Sequence, residues 1–363
     1  QGFIHHALTQ PDDDAYRVQL LLDYQGEFDI SAYQQAWQLA SLRYPILRTS
    51  FDWEGEIVQV IHKGASINEA NFKYIDIRDL DGAAQDEAIS DTQVADRQTG
   101  FDLTKPGLLR FTLLHRGDDA MTVLLSEHHS VSDGWSAPLL LNTVHEYYDV
   151  LIQGRQPQVV VEQTYKTVQE YRRHQEVGTQ AYWKDQRAIM EAANDFNGLL
   201  DKSVGLHEIK TVDNPSSQQI TVSGEAFQVL KKACQLQGVT LNVAVQFAWH
   251  KLLQTYTQDE HTIVGTVVSG RDIPVEGIEE SVGLYINTLP LVVDWSTEQS
   301  VGSMLNTIQK GIAELNSYSD VSLASLQRDG QRLFHSLLVF ENYPDVGSEG
   351  ADGIAGCVNY RDA

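Results

Sequence analysis

Hydrophobic periodicity predicts a strand and then a helix near the start of the chain. The apolar run "VQLLLDY" at 18–24 stops before Gly26 and predicts a strand. A helix should follow, with Ser31 as its N-cap and Pro45 at its end. Four apolar or aromatic residues at helical spacing indicate it: Tyr33, Trp37, Ala40 and Tyr44.

A second group of patterns predicts paired strands and a long helix. Residues 47–51 begin an extended segment that should pair with "EIVQVIH", and "GLLRFTLLHR" and "MTVLLSEHH" predict a hairpin turning at 117–119. The following "SAPLLLNTVHEYYDVLI" predicts a helix with Ser136 as N-cap, Pro138 in its first turn and Gly154 as its stop. The region therefore reads as α/β.

The later half of the chain loosely repeats this order. "QQITV" at 218–222 predicts a short strand before a helix capped by Ser223 and stopped near Gly238, and Thr240 caps a longer helix. Three more strands are predicted in "HTIVGTVVSGR", "INTLPLVVDW" and "HSLLVFENYP". Duplication of one α/β unit would explain both halves, which we place at 1–160 and 161–363.

Composition narrows the class of protein. At 363 residues the chain exceeds a usual single domain, and no apolar run is long enough to cross a bilayer. The net charge of -24 would repel nucleic acid. Two cysteines disfavour a disulfide framework and favour a reducing compartment, the cytoplasm. The abrupt ends favour a fragment of a longer polypeptide.

The stretch "SEHHSVSDGWS" is the candidate for chemistry. Because consecutive strand residues face opposite sides, His128 and His129 should have different roles. Both could be core histidines beside an Asp133 that caps a helix. A metal site lacks a third ligand at a usual spacing, and serine hydrolysis lacks a G-x-S-x-G elbow. Acyl transfer fits chemically, since a histidine can deprotonate or orient an attacking amine or alcohol.

This stretch and several other segments of the chain resemble the motifs of condensation domains of nonribosomal peptide synthetases. "EHHSVSDGWS" resembles the HHxxxDG signature of that family, and "QGFIHHAL" resembles part of its first motif. "LRYPILRTSF" resembles the second motif, with Tyr44 where a histidine is usual. "SVGLYINTLP" and "RLFHSLLVFENYP" resemble later motifs. The matches follow the order of the family along nearly the whole chain.

The resemblance implies a fold and a set of partners. The expected fold is a pseudo-dimer of two chloramphenicol-acetyltransferase-like α/β subdomains forming a V with a central tunnel, the second apparently truncated. Upstream donor and downstream acceptor carrier proteins would deliver thioesters on phosphopantetheine, next to an adenylation domain. No metal or organic cofactor bound by the domain itself is implied.

The resemblance also assigns site residues. His129 matches the active-site histidine, acting as general base or as the residue that orients the amine, with His128 and Gly134 beside it. Asp133 and Arg271 match a structural ion pair, the alternative for Arg271 being a solvated surface residue. The implied tunnel residues are Trp135, Ser136 and Asn287, although a strand-end Asn is often satisfied by backbone.

The reaction implied is peptide-bond formation, and three alternatives stay open. An epimerisation domain shares HHxxxD but usually has another stretch after it and an "EGHGR"-like motif, absent here. An ester-forming acyltransferase would use a hydroxyl acceptor. A recruiting, inactive relative usually has a damaged signature. The segments "VVSGRDIPVEGIEESVGLYINTLP" and "LLVFENYP" resemble the subtype that takes a D-configured donor.

Overall fold

The chain folds into two compact units in a computed structural model. The structure describes residues 6, 15–55, 57–187, 190, 193–199, 203–206, 216–297, 299–327, 331–342 and 353–362. The first unit comprises Gln1–Glu170, Val275–Tyr285 and Asn342–Ala363, and the second comprises Tyr171–Pro274 and Ile286–Glu341. Both are discontinuous in sequence, and the single boundary at residue 160 stays a prediction.

Helices and strands are interspersed along the chain. In order they are β1 Arg17–Gln25, α1 Ile30–Arg43, β2 Thr49–Asp52, β3 Val58–Ile61, β4 Phe72–Asp76, α2 Gly82–Arg97, β5 Leu109–Gly117, β6 Ala120–His128, α3 Ser136–Ile152, α4 Thr164–Gln186, α5 Gly224–Gln237, α6 Leu241–Thr257, β7 His261–Val268, β8 Asn287–Asp294, α7 Val301–Ser317, α8 Leu323–Leu326, β9 Leu337–Leu338 and β10 Val358–Asp362. The α/β character expected from the sequence is therefore present.

The first unit is built on a five-stranded sheet of order β10-β1-β6-β5-β4. Only the β4–β5 pairing in this sheet is parallel among the described strands. The predicted hairpin is confirmed as β5 and β6, and the predicted pairing of 47–51 with "EIVQVIH" is confirmed as β2 and β3.

Helices cover both faces of this sheet. On one face Leu21 and Leu124 pack with Ile89 of α2. On the other face lies Trp37 of α1, whose ring centroid is 4.6 Å from that of Phe111. Burial of large apolar side chains on both faces is the main source of stability for such a layered sheet.

Strand alternation assigns the residues of β6 to these two faces. Leu124, opposite Leu21, lies on the face of α2, and His128 shares its parity. Val123, Leu125 and Glu127 therefore lie on the face of α1 and α3. Glu127 and His128, the last two residues of β6, therefore lie on opposite faces of the sheet.

The start of α1 differs from the sequence prediction. Asp29, not Ser31, is the N-cap: its carboxylate accepts a hydrogen bond of 2.9 Å from the backbone N–H of Ala32. The helix already begins at Ile30, so Ser31 lies inside the first turn and is exposed. The predicted end is confirmed, because Tyr44 before Pro45 is extended, with φ -101° and ψ 107°.

The second unit contains a three-stranded sheet of order β8-β7-β9. β8 is antiparallel to β7 and β9 is parallel to it. Helices α6 and α7 supply Val243 and Ile308 to the core formed with Ile263 and Leu291 of the sheet. Gly265 is required in β7, because a Cβ there would lie 2.3 Å from the Phe334 ring.

In the second unit one strand prediction is wrong and another is confirmed only in part. Residues 218–222 form no strand in the described structure, and Ile220 is 90% exposed, so strand propensity alone does not order them without a pairing partner. "HSLLVFENYP" yields only the two paired residues of β9. Ser223 and Thr240 are both confirmed as N-cap residues. The Thr240 hydroxyl accepts a hydrogen bond from Val243 N–H, whereas the side chain of Ser223 makes no cap hydrogen bond.

The two candidate caps of α1 can be separated by substitution. We expect Asp29→Ala to lower the free energy of unfolding by about 1 kcal/mol, because the Ala32 N–H loses its acceptor. The matched Ser31→Ala should change it by only a few tenths of a kcal/mol, roughly the range of surface substitutions. Chemical denaturation of both variants measures this. A larger effect at Ser31 would contradict the assignment of Asp29 as the cap.

Candidate active site

The histidine pair lies where β6 turns toward α3. The backbone N–H of His128 donates to Leu108 O at 3.1 Å, and the N–H of His129 donates to Tyr16 O at 2.8 Å. A turn follows at once, closed by a 3.2 Å hydrogen bond from Val131 N–H to His128 O. His129 is thus the first residue beyond β6, and its N–H is bound by Tyr16, the residue directly before β1.

The ring of His129 has a defined tautomer. Its Nδ1 lies 2.7 Å from the carbonyl oxygen of Ser132, which can only accept a hydrogen bond. Nδ1 therefore carries the proton, and in the neutral ring Nε2 carries the lone pair. The ring is half-buried. An imidazole in this state can accept a proton or a hydrogen bond at Nε2.

The ring of His128 has the opposite tautomer. The backbone N–H of Ser130 donates to its Nδ1 at 3.2 Å, and the Ser130 hydroxyl lies 2.9 Å from the same atom. Nδ1 is thus an acceptor, so the proton of the neutral ring is on Nε2. Burial lowers the pKa of His128 to about 4, with a further contribution from nearby charges. His128 is a neutral, buried residue at physiological pH.

Asp133 joins three parts of the first unit. Its side chain is 1% exposed. One carboxylate oxygen accepts hydrogen bonds from the backbone N–H and the hydroxyl of Ser136, at 2.9 and 2.7 Å. The other accepts the N–H of Tyr285 at 3.0 Å. The carboxylate therefore caps α3 and also binds the segment Val275–Tyr285.

Ser136 and Trp135 make further contacts to that segment. The Ser136 hydroxyl lies 2.8 Å from Gly283 O and accepts the Gly283 N–H at 3.0 Å. Trp135 Nε1–H donates to Glu279 O at 2.8 Å. The prediction that Ser136 is the N-cap is wrong: Trp135 is the N-cap residue and Ser136 the first residue of α3. Gly134, half-buried, lies in the turn between Asp133 and Trp135.

Several residues of the site carried no signal that motif spacing could detect. Glu127 is 8% exposed, and the hydroxyl of Ser132 donates a short hydrogen bond to its carboxylate. Burial raises the pKa of Glu127. The sequence signal that could have identified Glu127 is a carboxylate within an otherwise apolar strand. Glu162 accepts a short hydrogen bond from Ser281, in the segment that Asp133 binds.

Two predicted site residues belong to the second unit. Arg271 is 6% exposed, so the alternative of a solvated surface residue is wrong. The side-chain N–H groups of Asn287 donate to Ser319 O and Val321 O, both at 2.7 Å. Asn287 thus joins the start of β8 to the chain after α7.

Neither a metal centre nor a membrane span is found among the described residues. They contain no group of three or more His, Cys, Asp or Glu side chains arranged to hold a metal ion. None of their helices is both long enough and apolar enough to cross a membrane.

Comparisons with known proteins show the family to which the chain belongs. The family model of the condensation domain matches residues 1–354. The chain belongs to the condensation-domain family. It is 36% identical over 359 residues to N-(5-amino-5-carboxypentanoyl)-L-cysteinyl-D-valine synthase of Amycolatopsis lactamdurans, an alignment covering 96% of this chain and 10% of that protein. It is 30% identical over 356 residues to gramicidin S synthase 2 of Aneurinibacillus migulanus, covering 95% and 8%.

Solved condensation domains share the fold. The first condensation domain of the calcium-dependent antibiotic synthetase superposes with a TM-score of 0.69 at 20% identity, covering 99% of this chain and 82% of that one. The chloramphenicol-acetyltransferase-like α/β class is therefore confirmed, as is the acyltransferase class that the family defines. The chain spans about a tenth or less of the curated relatives above. The V and the tunnel stay predictions.

Asp133 should be a residue on which the stability of the condensation domain depends. Asp133→Ala leaves the N–H groups of Ser136 and Tyr285 without this acceptor, and we expect the free energy of unfolding to fall by about 2–4 kcal/mol. Asp81→Ala is the matched control, because Asp81 is an exposed N-cap whose carboxylate accepts only the Ala84 N–H in the described contacts. The control should cost about 1 kcal/mol. Equal losses in denaturation experiments would refute the wider role of Asp133.

Burial of neutral His128 should make stability depend on pH. Between about 6.5 and about 4 the unfolded chain binds a proton at His128 that the folded chain does not, so its contribution is complete above pH 6.5 and decreases as pH falls. From pH 7.0 to 5.5 this amounts to about 1 kcal/mol. His128→Gln should remove that part of the pH dependence. Identical pH dependence of unfolding in the variant and the parent protein would exclude it.

Proposed function

We propose that this condensation domain forms an amide bond between two carrier-tethered thioesters, with His129 at the reacting nitrogen. The observation that carries the proposal is the hydrogen bond from His129 Nδ1–H to Ser132 O. It leaves the lone pair of the neutral ring on Nε2, the atom that must accept a proton from an attacking amine. Family membership supports the reaction class.

The reaction balances without a cofactor. The acceptor amine attacks the carbonyl carbon of the donor thioester, a carbon–nitrogen bond forms, and the carbon–sulfur bond breaks. One proton leaves the amine nitrogen for His129 Nε2, and the imidazolium then protonates the departing sulfur of the donor's phosphopantetheine. The same nitrogen can orient the amine before attack, which lowers the entropic cost of the step.

The neighbouring residues have supporting roles in this proposal. Asp133 fixes the turn that carries His129, and the ion pair with Arg271 that the resemblance implies stays a prediction. His128, neutral in its buried position, contributes packing beside the reacting ring. Gly134 allows a substrate to approach the backbone, and Trp135, Ser136 and Asn287 are the proposed residues of the substrate tunnel.

The partners follow from the chemistry of the substrates. Donor and acceptor arrive as phosphopantetheine thioesters on upstream and downstream carrier proteins, and an adenylation domain of the same synthetase supplies the acceptor. We propose a D-configured donor, on the resemblance of the segment around 267–290. Two cysteines in 363 residues support a cytoplasmic site of synthesis.

His129→Ala should lower the rate of peptide formation by roughly 10²- to 10⁴-fold, because the proton acceptor is lost. The full chain is incubated with an aminoacyl donor, in its D and L forms, and an aminoacyl acceptor on carrier proteins, and the product is quantified by mass spectrometry. His115→Ala, at a half-buried histidine of β5 on a different strand, should retain activity.

Three results would redirect the assignment. Unchanged turnover in His129→Ala would remove this residue from the reaction. Inversion at the donor α-carbon without a dipeptide would favour an epimerisation domain. Product with a hydroxyl acceptor and none with an amine would favour ester formation.

A further inference from the structure

Glu127 is a buried carboxylate that the proposed reaction does not use directly. It lies one residue before the end of β6 on the face that carries Val123 and Leu125, and is 8% exposed. Burial of a carboxylate among apolar side chains is costly unless hydrogen bonds or an opposite charge compensate. Its contacts therefore indicate what the residue does.

Ser132 connects Glu127 to the ring of His129. The Ser132 hydroxyl donates a short hydrogen bond to the Glu127 carboxylate, and the Ser132 carbonyl accepts the proton of His129 Nδ1 at 2.7 Å. Ser132 is 1% exposed, so water does not compete freely for either contact. One residue of the turn thus binds the carboxylate through its side chain and the imidazole through its backbone.

We propose that Glu127 and Ser132 are positioning residues for His129. The Glu127 carboxylate fixes Ser132 in the turn, and the carbonyl of Ser132 then holds the imidazole in the tautomer that has its lone pair on Nε2. In its ionised form Glu127 would also stabilise the imidazolium that forms when the amine loses its proton. This inference rests on the proposed role of His129.

The electrostatics of the pair agree with this geometry. Burial raises the pKa of Glu127, the Ser132 hydroxyl and the charge of His129 lower it, and the charge of Asp133 raises it. In the low-dielectric interior such an interaction is stronger than at the surface.

The test combines two substitutions with the loss of the histidine. Glu127→Gln keeps the shape and a hydrogen-bond acceptor but removes the charge, and Ser132→Ala removes the hydroxyl but keeps the carbonyl. Each variant and the double variant are made in the full chain, with and without His129→Ala. The control is Ser41→Ala, a buried serine of α1 whose hydroxyl donates to Gln38 O. Turnover, KM for both tethered substrates and thermal unfolding are measured.

We expect each single variant to lower kcat roughly 10- to 100-fold with KM within about twofold, since a hydrogen bond to a charged group is lost or weakened. The double variant should be little worse than the poorer single variant, because the residues act as one chain. In the His129→Ala background neither substitution should lower the residual rate further, whereas a general loss of structure would lower it in both backgrounds.

Other outcomes overturn the inference. It is wrong if both single variants behave like Ser41→Ala, or if they reduce the residual rate of His129→Ala as much as that of the parent chain. Insoluble Glu127→Gln together with fully active Ser132→Ala would also refute it, since Glu127 would then serve stability alone. Failure of the proposed function is distinguishable, because His129→Ala would then have parental turnover whatever the result at Glu127.

Discussion

The site depends on the carboxylate of Asp133 more than on any other single interaction. A buried carboxylate must have its oxygens hydrogen-bonded, and this one accepts from Ser136 and Tyr285, which are far apart in the sequence. The turn after the histidine pair, the start of α3 and the segment Val275–Tyr285 are thereby fixed together. The ring of His129 is bound within the same turn, through Ser132 O, and its backbone N–H donates to Tyr16 O.

Two neighbouring histidines have unlike properties because the strand ends between them. His128 completes β6 on the face of α2, where burial keeps it neutral and a backbone N–H occupies its Nδ1. His129 is past the ladder, so its ring turns back onto the carbonyl of Ser132. The chemistry of the pair is therefore decided by which backbone group each Nδ1 meets. The ring of His128 accepts a hydrogen bond at Nδ1, whereas the ring of His129 donates one from Nδ1.

Sequence patterns predicted much of the fold in which this site lies. They could not choose between neighbouring N-cap residues, and they could not identify contacts between residues that are distant in the sequence. The hairpin of β5 and β6 and the helix capped by Thr240 follow from periodicity and caps. Asp29 and Ser31 are both good N-caps, and the choice depends on where the first turn closes. The HHxxxDG pattern identifies Asp133 but not its partner Tyr285, because no periodicity connects positions so distant. Strand propensity at 218–222 likewise becomes structure only where a neighbour offers a ladder.

The burial of Glu127 is understandable if stability and reactivity are in conflict at this strand end. An apolar residue at this position would avoid the cost of desolvating a carboxylate, as it would fit the face shared with Val123 and Leu125. In the proposed reaction, the same low dielectric that makes an ionised carboxylate costly would strengthen its attraction to a positive charge on His129. The cost is constant, whereas the attraction is greatest when the ring is protonated. In the proposed mechanism, a group with that property would lower the barrier more than it stabilises the resting domain.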